Sequence, residues 1–339
     1  MISAAIVGAS GYIGGELLRL LLGHPQVSVT ACTSRRFAKR RVDSVHPNLR
    51  GVTELAFCDD AELTEYDVLF LATPHGANLD RRFHALAPIQ IDLSADFRLR
   101  DAAAYERHYG QPHPDPAALS CYTTGLAELH RAELAGADLI STPGCMATAA
   151  ILALTPLAEA GLIAGPVEVD ARTGSSGSGA ADGPANLHAE RSGAMRLFAP
   201  IGHRHEAEIS QATGLPVRMA ATGVEAVRGV QVVCRAELAD GADPIEVRRA
   251  YRRRYRDEPF VRVIAQSRGI YRYPEPKILL GSNYCDVGFA VDAPRRRVVA
   301  IGALDNLVKG GAGNAVQSLN IRCGWPERTG LEFTGLHPS

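Results

Sequence analysis

Apolar residues in the first third of the chain occur in short runs separated by glycines and by stretches with helical spacing. ISAAIV ends at the glycine-rich GASGYIGG, after which leucines recur on one helix face at positions 17, 18, 21 and 22. VSVTACTS, VLFLAT (68–73) and IQIDLS (89–94) repeat the strand pattern, and we predict a helical stretch between the last two. Strands that alternate with helices predict an α/β fold with a parallel, doubly wound sheet.

The pattern changes near residue 145. CMATAAILALTPLAEAGLI predicts a helix, PVEVDART predicts a strand, and GSSGSGAADGPAN predicts a loop. A mixed or antiparallel sheet is predicted by four further runs, which are VRMAAT, VQVVCRAEL, CDVGFAV and RVVAIGAL. ADPIEVRRAYRRRYRDE predicts a helix with a basic face, and GAGNAVQSLNIRCG a helix that returns to the first domain. We therefore predict one domain over residues 1–144 with 311–339, and an α+β domain over residues 145–310.

Composition narrows the class of protein. The chain has 339 residues, 46% hydrophobic and 22% charged, with a net charge of −1, so nothing global indicates nucleic acid or an anionic membrane as a partner. No apolar run approaches the length of a membrane span. The seven cysteines are scattered without CxxC pairs, which argues against a disulfide framework or a metal site and favours a cytoplasmic location.

Three glycines, Gly8, Gly11 and Gly14, follow the first predicted strand and open the first predicted helix. Glycines here permit a tight turn and let backbone N–H groups approach the pyrophosphate of a dinucleotide. The spacing is GxxGxxG rather than GxGxxG, and a plain turn is the alternative. The second strand ends at Thr33-Ser34-Arg35-Arg36, which suits a 2′-phosphate better than a ribose hydroxyl and favours NADP; a solvated basic loop is the alternative.

Cys145 lies at the predicted start of a helix in STPGCMATAA (141–150). The positive end of a helix dipole lowers the pKa of a thiol and favours the nucleophilic thiolate. The alternative is a small buried residue that fills a helix–strand contact. With a nicotinamide cofactor, a nucleophilic cysteine predicts hydride transfer to or from a thioester.

His203 and His205 in IGHRHEAEI are candidates for the acid/base group of that chemistry, and the residues alone do not choose between them. No Cys, Asp or Glu cluster completes a metal site around them at a recognisable spacing. The GSSGSGAA loop offers N–H and hydroxyl groups to a phosphate or an oxyanion, or is a flexible connector. DNLVKGGAGNA suits packing against a cofactor, with Asn306 and Lys309 as polar contacts, or is a helix cap.

Eight segments occur in the order found in N-acetyl-γ-glutamyl-phosphate reductases, and the chain resembles that family over nearly its whole length. They are GASGYIGGELLRLL, TSRR, LATPHG, IDLSADFRL, STPGC, GHRHEAEI, GSNYCDVGF and DNLVKGGAGNAVQSLN. The resemblance implies a Rossmann-type NADP-binding domain and an α+β catalytic and dimerisation domain, as in aspartate-semialdehyde dehydrogenase. It also implies a homodimer or homotetramer.

The resemblance implies Cys145 as the nucleophile and His203 as the acid/base group, with His205 and Glu208 in the same pocket. Taken with the patterns above, the candidate cofactor contacts are Gly8, Ser10, Gly11, Tyr12, Ile13, Gly14, Thr33, Ser34, Arg35, Arg36, Pro74, Ser94, Asn306 and Lys309. The candidate substrate contacts are Ser175, Ser176, Gly177, Ser178 and Arg191.

HPNLRG, LHAERSGAMRLFAPIGHRH and NIRCGWPERTGLEFTGLHP resemble a branch whose substrates are attached to a small acidic amino-group carrier protein. This resemblance implies NADPH-dependent reduction of carrier-bound α-aminoadipyl or glutamyl phosphate to the semialdehyde. The chain departs from the N-acetyl enzymes at Ser178-Gly179-Ala180-Ala181 in place of SGAGR, at TGLAE (124–128) in place of YGLPE, and at Glu206-Ala207 in place of Thr-Pro. The cysteine and histidines are kept, so the departures concern the tail of the substrate.

Three other functions stay open from the sequence. They are reduction of free N-acetyl-γ-glutamyl phosphate, oxidation of an aldehyde to an acyl phosphate by a phosphorylating aldehyde dehydrogenase, and non-catalytic sensing of NADP. A sensor would not need Cys145 and His203 together. An acidic carrier would be steered by RRAYRRRYR (248–256) with Arg268 and Arg272, although a solvated helix face is the alternative.

Overall fold

The computed structural model describes residues 1–180 and 183–338, and the chain divides into two compact units. The first unit comprises Met1–Pro143 and Gly311–Glu332, and the second comprises Gly144–Gly310 and the residues from Phe333 onward. Ala181 and Asp182 of the predicted Gly/Ser-rich loop, and Ser339 at the end of the first predicted domain, lie outside the described residues.

The boundaries differ from the prediction in two places, because Gly144 and the C-terminal residues belong to the second unit rather than to the first. The C-terminal residues pack along one turn of the second unit. A methyl group on Gly281 would lie 2.9 Å from the Phe333 ring, and Gly335 lies against the carbonyl group of Ile278.

The first unit begins with a β-strand, a helix and a second strand. Its elements up to Pro143 are β1 (Ile2–Val7), α1 (Tyr12–Leu22), β2 (Val27–Cys32), β3 (Val68–Leu71), β4 (Ile89–Asp92), α2 (Ala102–Tyr109), α3 (Pro116–Leu119), β5 (Thr123–Thr124), α4 (Ala127–Leu134) and β6 (Leu139–Ser141). All pairs in its sheet are parallel, in the order β2-β1-β3-β4-β6-β5. The order reverses between β1 and β3, where doubly wound sheets bind ligands at the carboxyl ends of their strands.

The helical stretch predicted between β3 and β4 is wrong, since the described segment contains only a 3₁₀ turn at His84–Leu86. Pro74 and Gly76, which has φ +87°, break any regular helix there. The Asp96 carboxylate accepts hydrogen bonds from the N–H groups of Gly76 (2.6 Å) and Asn78 (2.9 Å), which fixes the segment as a loop.

The second unit is built on a mixed sheet, as predicted. Its elements are α5 (Cys145–Glu159), β7 (Ile163–Thr173), α6 (His188–Arg191), β8 (Arg196–Ala199), α7 (His205–Thr213), β9 (Val217–Gly223), β10 (Val230–Leu238), α8 (Pro244–Tyr255), β11 (Val261–Val263), β12 (Cys285–Asp292) and β13 (Arg297–Leu304). The strand order is β11-β12-β13-β10-β7-β9-β8, with β7/β9 and β11/β12 parallel and the other pairs antiparallel. The apolar helix α5 is buried along most of its length.

A π-helical turn at Val308–Ala312 precedes α9 (Gly313–Arg322), which lies in the first unit. Two contacts fix this return segment: His24 Nε2 lies 2.9 Å from the Asn320 side-chain oxygen, and Arg131 pairs with Glu327 at 2.7 Å. None of the helices in the described part of the chain has the length and apolar character needed to cross a bilayer.

Candidate active site

The glycine loop between β1 and α1 has the shape expected for a dinucleotide site. Gly8 adopts φ +78°, and a methyl group there would lie 2.6 Å from the carbonyl oxygen of Ala72. A methyl group on Gly14 would lie 2.6 Å from Ala9 Cα, so this glycine permits close packing of α1 on the loop that follows β1. Gly11 is different, because a methyl group there would meet no atom of the described residues, its chain neighbours aside, closer than 3.6 Å.

The residues that end β2 divide into two groups. The Gly8 N–H donates to the Thr33 hydroxyl oxygen (3.3 Å), and the Ser34 hydroxyl donates to that of Ser10 (2.8 Å), so these buried side chains hold the glycine loop. Contact of these two hydroxyl groups with a 2′-phosphate stays a prediction. Arg35 and Arg36 are exposed, and the Arg35 side chain is only 3.5 Å from Asp60.

The other predicted cofactor contacts of this unit lie at the carboxyl edge of the sheet. Tyr12 and Pro74 are exposed, and Ile13 is partly exposed in the first turn of α1. Ser94 is buried after β4: its N–H donates to Asp92 (2.6 Å), and its hydroxyl accepts from the Asp96 N–H (3.1 Å). Complete burial raises the pKa of Asp92 to about 6.

In the second unit, Cys145 is the first residue of α5 and is partly exposed. Gly144 precedes it in an extended conformation and donates its N–H to the Glu208 carboxylate at 2.7 Å. A methyl group on Gly144 would overlap the His205 ring. His205 and Glu208, 4% and 3% exposed, thus hold the glycine that begins the cysteine helix.

His203 lies beside this pair but is partly exposed. Its ring packs edge-on against the His205 ring at 4.5 Å, and its Nδ1 accepts a hydrogen bond from the His205 N–H at 3.2 Å. Burial, with the adjacent Arg204 guanidinium, lowers the pKa of His203 to about 4. The ring is therefore neutral at pH 7, and the acceptor role of Nδ1 places its proton on Nε2.

The Gly/Ser-rich loop forms a 3₁₀ turn at Ser175–Ser178, here called the serine turn. The N–H groups expected to bind a phosphate or an oxyanion are used within the protein. Those of Ser175 and Ser176 donate to the carbonyl groups of Ala226 and Val227, and that of Gly177 donates to Gly174. The Ser178 hydroxyl donates to the Ser175 carbonyl oxygen, and the Ser176 hydroxyl accepts from the Asn306 side-chain amide. Contact of the serine turn with a substrate stays a prediction.

Arg191, at the end of α6, donates to the Val224 carbonyl group, while its Nε is buried without a hydrogen-bond partner among the described residues. Asn306 is 2% exposed, and its amide is used by Gly229 and Ser176. Lys309 is buried with its ammonium group 5.9 Å from the centre of the Phe260 ring. Substrate contact by Arg191 and cofactor contact by Lys309 stay predictions.

Two family models match this chain. A model described as "Semialdehyde dehydrogenase, NAD binding domain" matches residues 3–137, and one described as "Semialdehyde dehydrogenase, dimerisation domain" matches residues 145–306. The chain belongs to the semialdehyde dehydrogenase family. It is therefore an oxidoreductase with a nicotinamide dinucleotide as cofactor, and the predicted fold class is confirmed.

Relatives of this semialdehyde dehydrogenase extend over the full chain. A protein of Deinococcus radiodurans named [LysW]-L-2-aminoadipate 6-phosphate reductase is 48% identical over 99% of this chain and 98% of its own. A Pyrococcus furiosus protein named as putative [LysW]-L-2-aminoadipate/[LysW]-L-glutamate phosphate reductase is 45% identical over 100% of both chains. These relatives confirm the resemblance to the carrier-protein branch.

Solved structures of other semialdehyde dehydrogenases share the fold. Aspartate semialdehyde dehydrogenase II from Vibrio cholerae superposes with a TM-score of 0.70 at 16% identity, over 96% of this chain and 98% of its own. Aspartate semialdehyde dehydrogenase with NADP from Candida albicans has a TM-score of 0.67 at 14% identity, over 95% and 98%.

Two features of the first unit of this semialdehyde dehydrogenase fit the binding of a dinucleotide. Beside Gly11 there is space for a methyl group that no atom of the described part of the chain fills. In α9, the Asn314 side chain is 1% exposed, and neither of its amide atoms has a hydrogen-bond partner among the described residues. A buried primary amide needs partners, and the carboxamide of a nicotinamide supplies both a donor and an acceptor.

Sequence reasoning missed Asn314 and named Asn306 and Lys309 from the same segment. The signal was the asparagine in GGAGNA at the start of a helix. The pattern does not show which of two nearby asparagines is already hydrogen-bonded, because the partners of Asn306 lie far away in the sequence.

Proposed function

We propose that this chain catalyses NADPH-dependent reduction of a carrier-bound α-aminoadipyl or glutamyl phosphate to the semialdehyde, through a thioester on Cys145. The start of α5 carries this proposal: the cysteine follows a glycine that Glu208 and His205 hold in place. Full-length relatives named for LysW-linked substrates support the substrate class.

In the first half-reaction, the Cys145 sulfur attacks the acyl carbon. A C–S bond forms, the C–O bond to phosphate breaks, and phosphate leaves with the electron pair. The N–H groups of the first helical turn have no partner within the helix, and those of Met146 and Ala147 stabilise the developing oxyanion.

In the second half-reaction, NADPH when bound would supply the hydride that reduces the thioester to the aldehyde, with cleavage of the C–S bond and return of the sulfur as the thiolate. We assign the acid/base role to His203, which is partly exposed and whose ring, unlike that of His205, does not fill the space beside Gly144. His205 and Glu208 are buried and position the helix start.

For the cofactor, the proposal specifies NADP. The glycine loop would hold the pyrophosphate, Arg35 and Arg36 the 2′-phosphate, and Asn314 the carboxamide. The exposure of both arginines at the end of β2, where an NAD site has an acidic residue, supports this choice.

The exposed face of α8 supports an acidic carrier as the partner. Its exposed arginines recur at helical spacing, at positions 248, 249, 252, 253 and 256. The first four make no ion pair among the described residues, whereas Arg254 pairs with Glu159 and Glu258. Like charges four residues apart destabilise a helix by about 0.2–0.5 kcal/mol per pair, and an acidic surface would relieve this repulsion.

A homo-oligomer and a cytoplasmic location complete the proposal. The family model that matches the second unit describes a dimerisation domain, and the stretch around edge strand β8 exposes Met195, Leu197, Phe198 and Ile201. The seven cysteines, all within the described residues, form no disulfide. Sedimentation velocity at several concentrations tests the oligomer.

The experiment that tests the function is phosphate-dependent reduction of NADP⁺ with two aldehydes: N-acetylglutamate semialdehyde, and the semialdehyde attached to a carrier protein. We expect turnover with the carrier-bound aldehyde, loss of turnover in Cys145→Ser, and normal turnover in Cys121→Ser, which alters an exposed cysteine. Turnover of the free aldehyde alone would return the chain to ordinary N-acetyl-γ-glutamyl-phosphate reduction.

Carrier docking is tested by the dependence of KM on salt. KM for the carrier-bound aldehyde should rise with ionic strength, and Arg248→Glu with Arg252→Glu should raise it further. Arg297→Glu, an exposed arginine on β13, is the matched control. A KM that does not change with salt would contradict steering by this face.

A further inference from the structure

The side chain of Asn306 joins two separate loops of the second unit. Its amide oxygen accepts a hydrogen bond from the Gly229 N–H (2.7 Å), and its amide nitrogen donates to the Ser176 hydroxyl (2.9 Å). Ser176 lies in the serine turn, and the N–H of Gly174, which precedes that turn, donates to the Gly229 carbonyl (2.9 Å). Asn306 therefore holds the serine turn and residue 229 in one arrangement.

The neighbouring residue Asp305 fixes the turn that follows Asn306. Its carboxylate is fully buried and accepts from the Leu307 N–H (2.9 Å) and the Gly281 N–H (2.6 Å), and it pairs with Arg228 (3.0 Å). Its backbone carbonyl accepts from the Gly310 N–H at 3.0 Å. The path of the backbone from 305 to 310 is thus determined at both ends.

Gly310, at the end of this turn, lies directly against the nucleophile. A methyl group on Gly310 would lie 2.5 Å from Cys145 Cβ and 3.1 Å from its Cα. A displacement of the turn would therefore change the space available to the cysteine. One short segment contacts the serine turn through Asn306 and the cysteine through Gly310.

We propose that Asn306 is a positioning residue that sets the Ser176 hydroxyl in register with the Cys145 thiol for acyl transfer, and that it makes no contact with the cofactor. This inference rests on the proposed function, in which Cys145 is the nucleophile and the serine turn contacts the substrate. It changes the assignment that the DNLVKGGAGNA pattern suggested, because both amide atoms are already used within the second unit.

The test is a double-mutant cycle of Asn306→Leu, which removes both hydrogen bonds at similar volume, and Ser176→Ala. Each single variant should lower kcat/KM for the aldehyde by about 10- to 100-fold, and the double variant should be no worse than Asn306→Leu. Asn306→Asp keeps the acceptor for Gly229 and can accept from Ser176, so it should recover part of the loss. The cofactor Kd should stay within about twofold throughout.

Thr155→Val is the matched control, because it removes a buried hydroxyl of α5 that donates only to the Ile151 carbonyl of its own helix. Its kcat/KM and cofactor Kd should equal those of the wild type. If the role of Asn306 were merely structural, Asn306→Leu would instead behave like Thr155→Val. Its thermal midpoint would fall, and kcat would be unchanged in the folded fraction.

The rate of Cys145 alkylation by iodoacetamide separates this inference from the proposed function, since it requires no substrate. We expect Asn306→Leu to slow alkylation by about two- to fivefold, because the cysteine would lose its favourable position at the positive end of α5. If neither aldehyde is turned over but alkylation slows, the proposed function fails and the positioning holds. Additive effects in the cycle, or a cofactor Kd raised about tenfold by Asn306→Leu, would overturn the inference.

Discussion

The starts of α1 and α5 resemble each other more than either resembles the other long helices. Both are preceded by a glycine in an extended conformation, and among the described residues neither start has a side-chain cap or an acidic residue in its first turn. By contrast, α2 and α8 are capped by the preceding residues Asp101 and Asp243, whose carboxylates accept hydrogen bonds from N–H groups of the first turn. An uncapped start leaves the positive end of the helix for another anion, which in the proposed function is a pyrophosphate at α1 and a thiolate at α5.

The two starts differ in what requires the glycine. At Gly144 the protein itself requires it, because the His205 ring occupies the position of a side chain and Glu208 accepts the N–H. At Gly11 no atom of residues 1–180 or 183–338 requires it, since the nearest one to an added methyl group, apart from the chain neighbours, is the Gly8 carbonyl oxygen at 3.6 Å. One start is completed by residues of the same chain, and the other has room for a ligand.

The largest effect should follow from removing the Cys145 sulfur at the start of α5. Cys145→Ser should lower turnover by about four orders of magnitude or more, because the nucleophile is lost. The cofactor Kd, measured by quenching of NADPH fluorescence, should not change. Residual turnover near the wild-type rate would mean that α5 does not carry the nucleophile.

Adding one methyl group at each glycine contrasts the two starts directly. Gly144→Ala must displace His205, so we expect the thermal midpoint to fall by about 5 °C and kcat to fall with it. Gly11→Ala should leave the thermal midpoint unchanged and raise the NADPH Kd by about 10- to 100-fold. Equal thermal midpoints for the two variants would contradict the distinction.

Replacement of Arg35 and Arg36 tests whether the site at the start of α1 prefers NADPH to NADH. Replacing both with alanine should raise the Kd for NADPH by about 10- to 100-fold and leave that for NADH within about twofold, because only NADPH carries the 2′-phosphate. Isothermal titration with both cofactors measures the ratio. A parallel rise in both Kd values would place the arginines elsewhere.

The smallest effect concerns the neutral histidine beside the second start. The pKa of His203 is about 4 in the folded chain and 6.5 ordinarily, so the unfolded chain takes up the proton at a higher pH. Stability from this group is complete above pH 6.5 and is lost as the pH falls towards 4. The urea midpoint should therefore decrease between pH 7 and pH 5 less in His203→Gln than in the wild type, and identical decreases would contradict it.

Local sequence was enough to predict both helix starts. The strand, the glycines and the leucines of α1 lie within a few residues of one another, as do Gly144, Cys145 and the alanines of α5. Sequence alone did not show contacts between distant residues. Glu208 lies 64 positions from Gly144, and Ser176 lies 130 from Asn306, so neither pairing leaves a periodic pattern.

The same limit explains the two local errors. The N–H groups of Ser175 and Ser176 were expected to be available, but the carbonyl groups of Ala226 and Val227 accept them. The segment between β3 and β4 was expected to be helical, but the Asp96 carboxylate, which follows in the chain, accepts the N–H groups of Gly76 and Asn78. In both cases the deciding partner lies outside the window that a pattern covers.

The return of residues 311–332 to the first unit has a consequence for exchanging parts between relatives. A chimera made with a single crossover near residue 144 would receive the first unit without α9, and so without the partners of His24 and Arg131. The segment that behaves as a transferable cassette is the insert from Gly144 to Gly310. Recombination that keeps both units whole needs matched breakpoints at its two ends, and a third beyond Glu332.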